Sequence, residues 1–225
     1  MIDYSFCIVT DNSLNACKRI AEIVKSIRGL QIPNYEILVI GGDTNRFVGN
    51  FENFQKINFC EKTKNGWITK KKNDVAKLAK YENLVMMHDY FVFHPSWYKG
   101  YIAIKDKFEN CDLCLNPIIM SDGRRDYTDW VTLDHPTLGM HRSLSYTDEA
   151  NVKYQYFSGG FFVVKKNFFL NNLMDESLLS HQMEDIEWSK RIRDNSNIIF
   201  NANSYVRHNK DHRNLSVDFW SRIGV

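Results

Sequence analysis

The chain of 225 residues carries 29 Lys and Arg against 27 Asp and Glu, a formal net charge of +2, with 44% hydrophobic and 25% charged residues. That is the composition of a globular domain with a large apolar core, and it excludes collagen-like, disordered and small disulfide-scaffold chains. An isoelectric point of about 8.2 also excludes a protein that mainly coats nucleic acid, which needs a strongly basic face.

Residues 5–10 read as a short buried strand leading through Asp11, Asn12 and Ser13, all N-cap types, into a helix. On that helix Cys17, Ile20, Ala21, Val24 and Ile27 recur at three- and four-residue spacing, and Gly29 is expected to end it with a positive φ. Pro33-Asn34 turns the chain into residues 35–40, whose unbroken run Ile37-Leu38-Val39-Ile40 suits a parallel strand covered on both faces. A weaker strand at 56–60 follows, then a helix at 68–81 with Val75, Leu78 and Ala79 inward, then a strand at 83–87. After Pro95-Ser96 a helix carries Trp97, Tyr101, Ile104 and Phe108 on one side, and residues 111–120 read as a strand. Residues 121–155 are polar and aromatic-rich, too long for an idle loop, so they are expected to face a substrate. Strand character resumes at 156–165 around Gly159-Gly160, a helix spans 184–193, and the tail begins as a strand at Ile198 and ends irregular. This alternation predicts an α/β fold: one domain built on a mostly parallel, doubly wound sheet flanked by helices, with ligands beyond the carboxyl ends of its strands.

The five cysteines, Cys7, Cys17, Cys60, Cys111 and Cys114, are an odd number with no leader peptide ahead of them, which reads as a reduced, cytoplasmic chain. The best apolar stretch, 84–93, is interrupted by His88 and Asp89, so membrane association is at most peripheral. Cys111 and Cys114 lie in strand-like sequence far from His208 and His212, and read as core residues rather than zinc ligands.

The first turn, Thr10-Asp11-Asn12-Ser13, has neither the dinucleotide fingerprint nor a P-loop, which weighs against a phosphoryl or nucleotidyl transferase. The informative residues lie elsewhere. His88-Asp89-Tyr90 directly follows a strand, where a carboxylate can hold a divalent cation against a diphosphate. Met183-Glu184-Asp185 opens a later helix, and Arg207-His208 comes after it. Lys70, Lys71 and Lys72 taken alone read as a solvated helix face. Glu184 and Asp185 taken alone are first-turn acids that complement a helix dipole. Trp130, with Asp129 beside it, either stacks on an acceptor sugar or packs an ordered loop.

In order and spacing these residues resemble the GT-A glycosyltransferases, most closely the family 2-like and galactosyltransferase-like enzymes, over most of the chain up to His208. Gly66-Trp67-Ile68 through Lys71-Lys72-Asn73 resembles the family's G…(R/K)N helix start, and His88-Asp89-Tyr90 stands in the D-x-D place. Ser158-Gly159-Gly160 resembles the glycine loop near the donor sugar, Glu184-Asp185 the acid pair, and His208 the late metal-site histidine. The resemblance implies one GT-A domain over 1–225, with a nucleotide-binding half at 1–90 and an acceptor-binding half at 91–225. It implies inverting transfer of a sugar from a nucleotide diphosphate donor, a UDP-sugar above all, to a glycan or glycolipid hydroxyl, with Asp185 as general base and Glu184 orienting. Donor contacts would come from Thr10, Asp11, Asp43, Lys72, Asn73, His88, Asp89, Gly159 and Gly160, and Asp89 with His208 would hold Mn²⁺ or Mg²⁺. Tyr90 departs from the pattern, because a phenol is a poor ligand for these ions near neutral pH. That departure also motivates a second reading, a nucleotide-sugar-binding module of the same fold without turnover.

Overall fold

The computed structural model describes residues 1–42 apart from 12, residues 52–61, and residues 66–209 apart from 127, 133, 140, 141 and 181. The opening strand, β1 (Tyr4–Val9), is buried throughout because its faces meet different layers: Tyr4, Phe6 and Ile8 pack on one side, Cys7 and Val9 on the other. Ser13 then caps α1 (Leu14–Gly29), its Oγ accepting the Ala16 N–H at 3.2 Å, and Ile20, Ile23, Val24 and Ile27 bury the inner face. The positive φ expected at Gly29 falls instead on Gln31, at 55°. Gly29 is still helical, and the Leu30 N–H bonds the Ile27 carbonyl at 3.0 Å, so a tightened last turn moves the reversal two residues on.

β2 (Tyr35–Gly41) and β3 (Phe54–Asn58) follow in parallel, then α2 (Ile68–Leu78), β4 (Asn83–His88) and β5 (Phe91–Phe93). In α2 the expected inward Leu78 is 53% exposed, while Lys71, Lys72 and Asn73 are buried. The solvated-face reading therefore holds for Lys70 alone of the three lysines: the first turn of the helix lies across the strand ends and not in water. The expected helix from Trp97 to Phe108 is two, α3 (Trp97–Ala103) and α4 (Lys105–Glu109), interrupted at Ile104. The expected strand at 111–120 is likewise two, β6 (Leu113–Leu115) and β7 (Ile118–Ile119). Pro117 between them has no N–H to continue a ladder, and the pieces join different sheets. The described residues of the long polar stretch hold β8 (Val131–Thr132) and a short 3-10 turn at Val152–Tyr154 before β9 (Gln155–Tyr156). β10 (Phe161–Lys165), α5 (Lys166–Asn171), α6 (Glu184–Ile192), β11 (Ile198–Phe200) and β12 (Val206–His208) complete the described chain.

Seven strands form one sheet in the order β11-β6-β10-β4-β1-β2-β3, parallel except for β10, which runs antiparallel to both β4 and β6. A small sheet, β5-β12-β7, sits beside it. Because β1 and β4 are parallel with Val9 opposite His88, their carboxyl ends coincide. Because β10 is antiparallel, it begins where β4 ends, with Phe161 opposite Met87. Among the described residues no helix is long and apolar enough to cross a membrane.

Candidate functional site

The sheet geometry brings Thr10, Asp89 and the Gly159-Gly160 loop to one edge. Thr10 and Asp89 each stand one residue beyond their strands, and Thr10 Oγ1 donates to Asp89 Oδ2 at 2.7 Å. The His88 N–H bonds the Gly160 carbonyl at 2.9 Å, so the glycine loop is tied to the same edge. Gly41 lets the β2 end approach closely: a Cβ there would lie 2.4 Å from Thr10 Cγ2 and 2.9 Å from the Thr10 carbonyl oxygen. Two adjacent lysines of α2 reach separate strand ends. Lys71 Nζ donates to the Thr10 carbonyl at 3.1 Å and pairs with Glu61, and Lys72 Nζ donates to the Gly159 carbonyl at 2.6 Å.

Beyond these strand ends opens a cavity of about 680 Å³ whose walls include Thr10, Asp11, Arg19, Lys71, His88 and Asp89. All its lining residues but Ser180 come from the first 90 residues. A larger recess, about 790 Å³, lies along the outer strand β11 and shares no lining residue with it. The smaller cavity is the one beside the converging charges, at the position where an α/β sheet binds ligands.

Within it Asp89 is buried and fully engaged. Arg19 from α1 donates through Nε to the Asp89 carbonyl at 3.0 Å and through Nη2 to both carboxylate oxygens, each at 3.0 Å. Burial raises the Asp89 pKa above its ordinary value, against the pull of Thr10 and Arg19. Tyr90 lines the same cavity, its hydroxyl 2.9 Å from His88 Nδ1. Burial, then the nearby Asp89 charge, pushes the phenol well up, so it remains protonated. His208 is carried here by β12, which pairs with β5, and its ring lies 4.6 Å from that of Tyr90 and 5.5 Å from that of Phe91.

These residues do not fit a divalent metal as the sequence reading expected. Both Asp89 oxygens are directed at Arg19 and Thr10, the neighbouring Tyr90 is a neutral phenol, and His208 packs among aromatic rings. Among the described residues no three His, Cys, Asp or Glu side chains converge. The expected Asp89–His208 pairing for Mn²⁺ or Mg²⁺ thus finds no support among the described residues.

On the other side of Tyr90 stands the acid pair. Asp185 is partly buried in the first turn of α6, immediately after Met183, whose φ of 60° is left-handed. One Asp185 oxygen accepts the Ile186 N–H at 3.0 Å; the other accepts the Gly159 N–H at 3.0 Å and the Tyr156 hydroxyl. A Cβ at Gly159 would sit 3.0 Å from Asp185 Cβ, so any side chain there would crowd the carboxylate. Lys72 lies behind, with no exposed surface; burial lowers its ammonium to about 8, and Asp185 and Glu184 pull it back up. Gly160 closes the gap to the cavity, since a Cβ there would lie 3.4 Å from the Tyr90 hydroxyl.

Thr10, Asp11, Lys72, His88, Asp89, Gly159, Gly160, Glu184, Asp185 and His208 thus gather around one strand edge, while others called from sequence do not. Asn73 is buried, its amide spent on the Met174 backbone and Glu176, so it braces the segment before α6 rather than reaching a donor. Trp130 is buried and packs on Phe200, 4.7 Å between rings, so it offers no face to an acceptor. Asp129 is equally buried, accepting from Arg125 at 2.7 Å and Tyr146 at 2.6 Å. Both order the long polar stretch, correcting the acceptor-contact reading. Asp43 lies outside the described residues. Arg19 and Tyr156 were missed, and Lys71 was read as solvated: an arginine one residue before an apolar helix position carries no local signal, and Tyr156 is marked only by its place shortly before Ser158-Gly159-Gly160.

No protein-family model and no curated protein matches the chain, whereas solved structures do. The 1–349 portion of S. aureus TarS superposes with a TM-score of 0.63 at 17% identity, covering 91% of this chain and 60% of that one. The same portion in complex with UDP-GlcNAc gives 0.61 at 15% identity, covering 98% and 64%. The chain has the GT-A fold. GalNAc-T7, solved with UDP, GalNAc and Mn²⁺, shares that GT-A architecture with a TM-score of 0.57 at 18% identity over 92% of this chain and 44% of its own. The present GT-A chain spans between 44% and 64% of the length of these three structures.

Proposed function

We propose that this chain transfers a hexosyl group from a nucleoside diphosphate donor, a UDP-sugar in the first instance, to a hydroxyl of a glycan or glycolipid acceptor, with inversion. The observation that carries the reading is Asp185: a partly buried carboxylate, fixed by the Gly159 N–H, the Tyr156 hydroxyl and the Ile186 N–H beside a glycine loop that abuts the wall of the strand-end cavity. The diphosphate occupies the cavity beneath Thr10, Arg19 and His88, and the sugar extends past Tyr90 toward Gly159-Gly160. Asp185 takes the proton of the acceptor hydroxyl as its oxygen bonds the anomeric carbon. The bond from that carbon to the phosphate oxygen breaks, and its electron pair leaves with the nucleoside diphosphate. Lys72, buried behind the glycine loop, sets a cation close to both Asp185 and the buried Glu184. Residues 1–90 act as the nucleotide-binding half and residues 91–225 as the acceptor half, which supplies Asp185 and the glycine loop. No step is routed through Mn²⁺ or Mg²⁺. We place the reaction in the cytoplasm, a reading supported by five cysteines that are all free, with membrane contact at most peripheral.

The test is transfer from UDP-sugars to a panel of glycan and glycolipid acceptors, with UDP binding measured in parallel. Asp185→Asn is expected to abolish transfer while UDP affinity stays within about threefold, under 1 kcal/mol. Retained turnover would remove Asp185 as the base. Tight UDP binding by the wild type with no transfer or donor hydrolysis would instead favour the binding module without turnover.

A further inference from the structure

We propose that Arg19 is the fixed cation that meets the donor diphosphate, so that this chain binds its nucleotide without a divalent metal; the inference rests on the nucleotide-sugar reading above.

The guanidinium stands where a bound cation would have to stand, against both oxygens of Asp89 at 3.0 Å, with its Nε on the Asp89 carbonyl. Thr10 fills one of the same oxygens from the β1 side. A metal ion ligated by Asp89 would displace Arg19, whose side chain is only 12% exposed, and its nearest other carboxylate, Asp11, is 3.9 Å away. Among the described residues nothing nearby compensates: the Tyr90 hydroxyl is engaged with His88, and the His208 ring lies tilted against that of Tyr90, 4.6 Å away.

Arg19 also has donors to spare. A guanidinium carries five N–H groups in a rigid fork matched to phosphate oxygens. Here Nε and Nη2 serve Asp89, while Nη1 makes no hydrogen bond among the described residues, and Arg19 lines the cavity. Asp89 then positions the arginine instead of ligating an ion, with Thr10 fixing the carboxylate. Lys71 is a second cation lining the cavity, tied to Glu61 and to the Thr10 carbonyl. With Arg19 and Lys71 facing Asp11, Glu61 and Asp89, the wall holds no surplus positive charge, so affinity comes from directed N–H donors.

The experiment is calorimetric titration of UDP, GDP, CDP and ADP into wild type, each in Mn²⁺ and in EDTA. At least one nucleotide is expected to bind with Kd values within about threefold of each other in the two buffers. The double variant Arg19→Met/Asp89→Asn removes both charges, so neither is left stranded, and its expected loss in EDTA is about 10- to 100-fold, the worth of charge-assisted hydrogen bonds. Arg19→Lys keeps the charge without the fork and is expected to fall between; it also serves if the double variant fails to melt as a folded protein. Binding that needs Mn²⁺ and disappears in Asp89→Asn would overturn the inference while leaving the nucleotide reading intact. Binding in EDTA that survives loss of Arg19 would overturn it as well. No binding of any nucleotide in either buffer would overturn both.

Discussion

Lys72 offers the most direct check on the electrostatics behind the proposed base. Its side chain is fully buried, and burial lowers the ammonium from the ordinary 10.5 to about 8 against the opposing pull of Asp185 and Glu184. Since the folded value lies below the unfolded one, the unfolded chain holds one more proton between about pH 8 and 10.5, and stability must rise with pH through that window. At about 1.4 kcal/mol per pH unit the rise amounts to about 3 kcal/mol. Lys72→Met keeps the volume and removes the charge, so its stability stays flat where the wild type climbs. At pH 7 relief of that desolvation is largely offset by the lost bond to the Gly159 carbonyl, about 1.5–3 kcal/mol, so the variant should melt close to the wild type there. For a chain of 225 residues, 1 kcal/mol moves the midpoint by about 2–4 °C, so the gap between the two proteins should change by about 6–12 °C from pH 8 to 10.5. Calorimetric melts of both across that range read it, and groups that titrate in both proteins cancel in the difference. Parallel curves would refute the reasoning.

Gly159→Ala should act on turnover alone: the methyl would lie 3.0 Å from Asp185 Cβ and 3.2 Å from Lys72 Nζ. The neighbour must give by a few tenths of an ångström, and since a displacement of about 1 Å costs about 100-fold, kcat should fall by about 10-fold while UDP affinity holds; unchanged kcat would show that the loop yields. Trp130→Ala, read here as loss of a buried core ring, should destabilise by about 3–5 kcal/mol in urea titration. Wild-type stability with a raised acceptor KM would restore the sugar-stacking role.

Much of this architecture was legible because burial on both faces leaves a mark that needs no knowledge of partners. Ile37-Leu38-Val39-Ile40 suited a covered strand, and the spacing of Ile20, Val24 and Ile27 suited one core-facing helix stripe; both are buried. Ser13 announced its cap for the same local reason. Boundaries set by packing were not legible: Leu78 had the periodicity of a core residue, yet α2 ends before anything covers it. Trp130 sat in polar surroundings, and its burial depends on Phe200, a strand away on β11.

The same division runs through the site. Sequence order by itself determined the strand-ending acid Asp89, the glycine loop and the acid pair, because each belongs to a short segment whose backbone conformation is local. Only the tertiary structure decided what those groups do to one another. Parallel β1 and β4 set Thr10 beside Asp89, antiparallel β10 returned Gly159 to that edge, and α1, packed against the sheet, delivered Arg19 to a carboxylate 70 residues away. Charge interactions act through space at a few ångströms and take no account of chain separation, so a carboxylate that reads as a metal ligand in sequence became, once folded, the partner of an arginine.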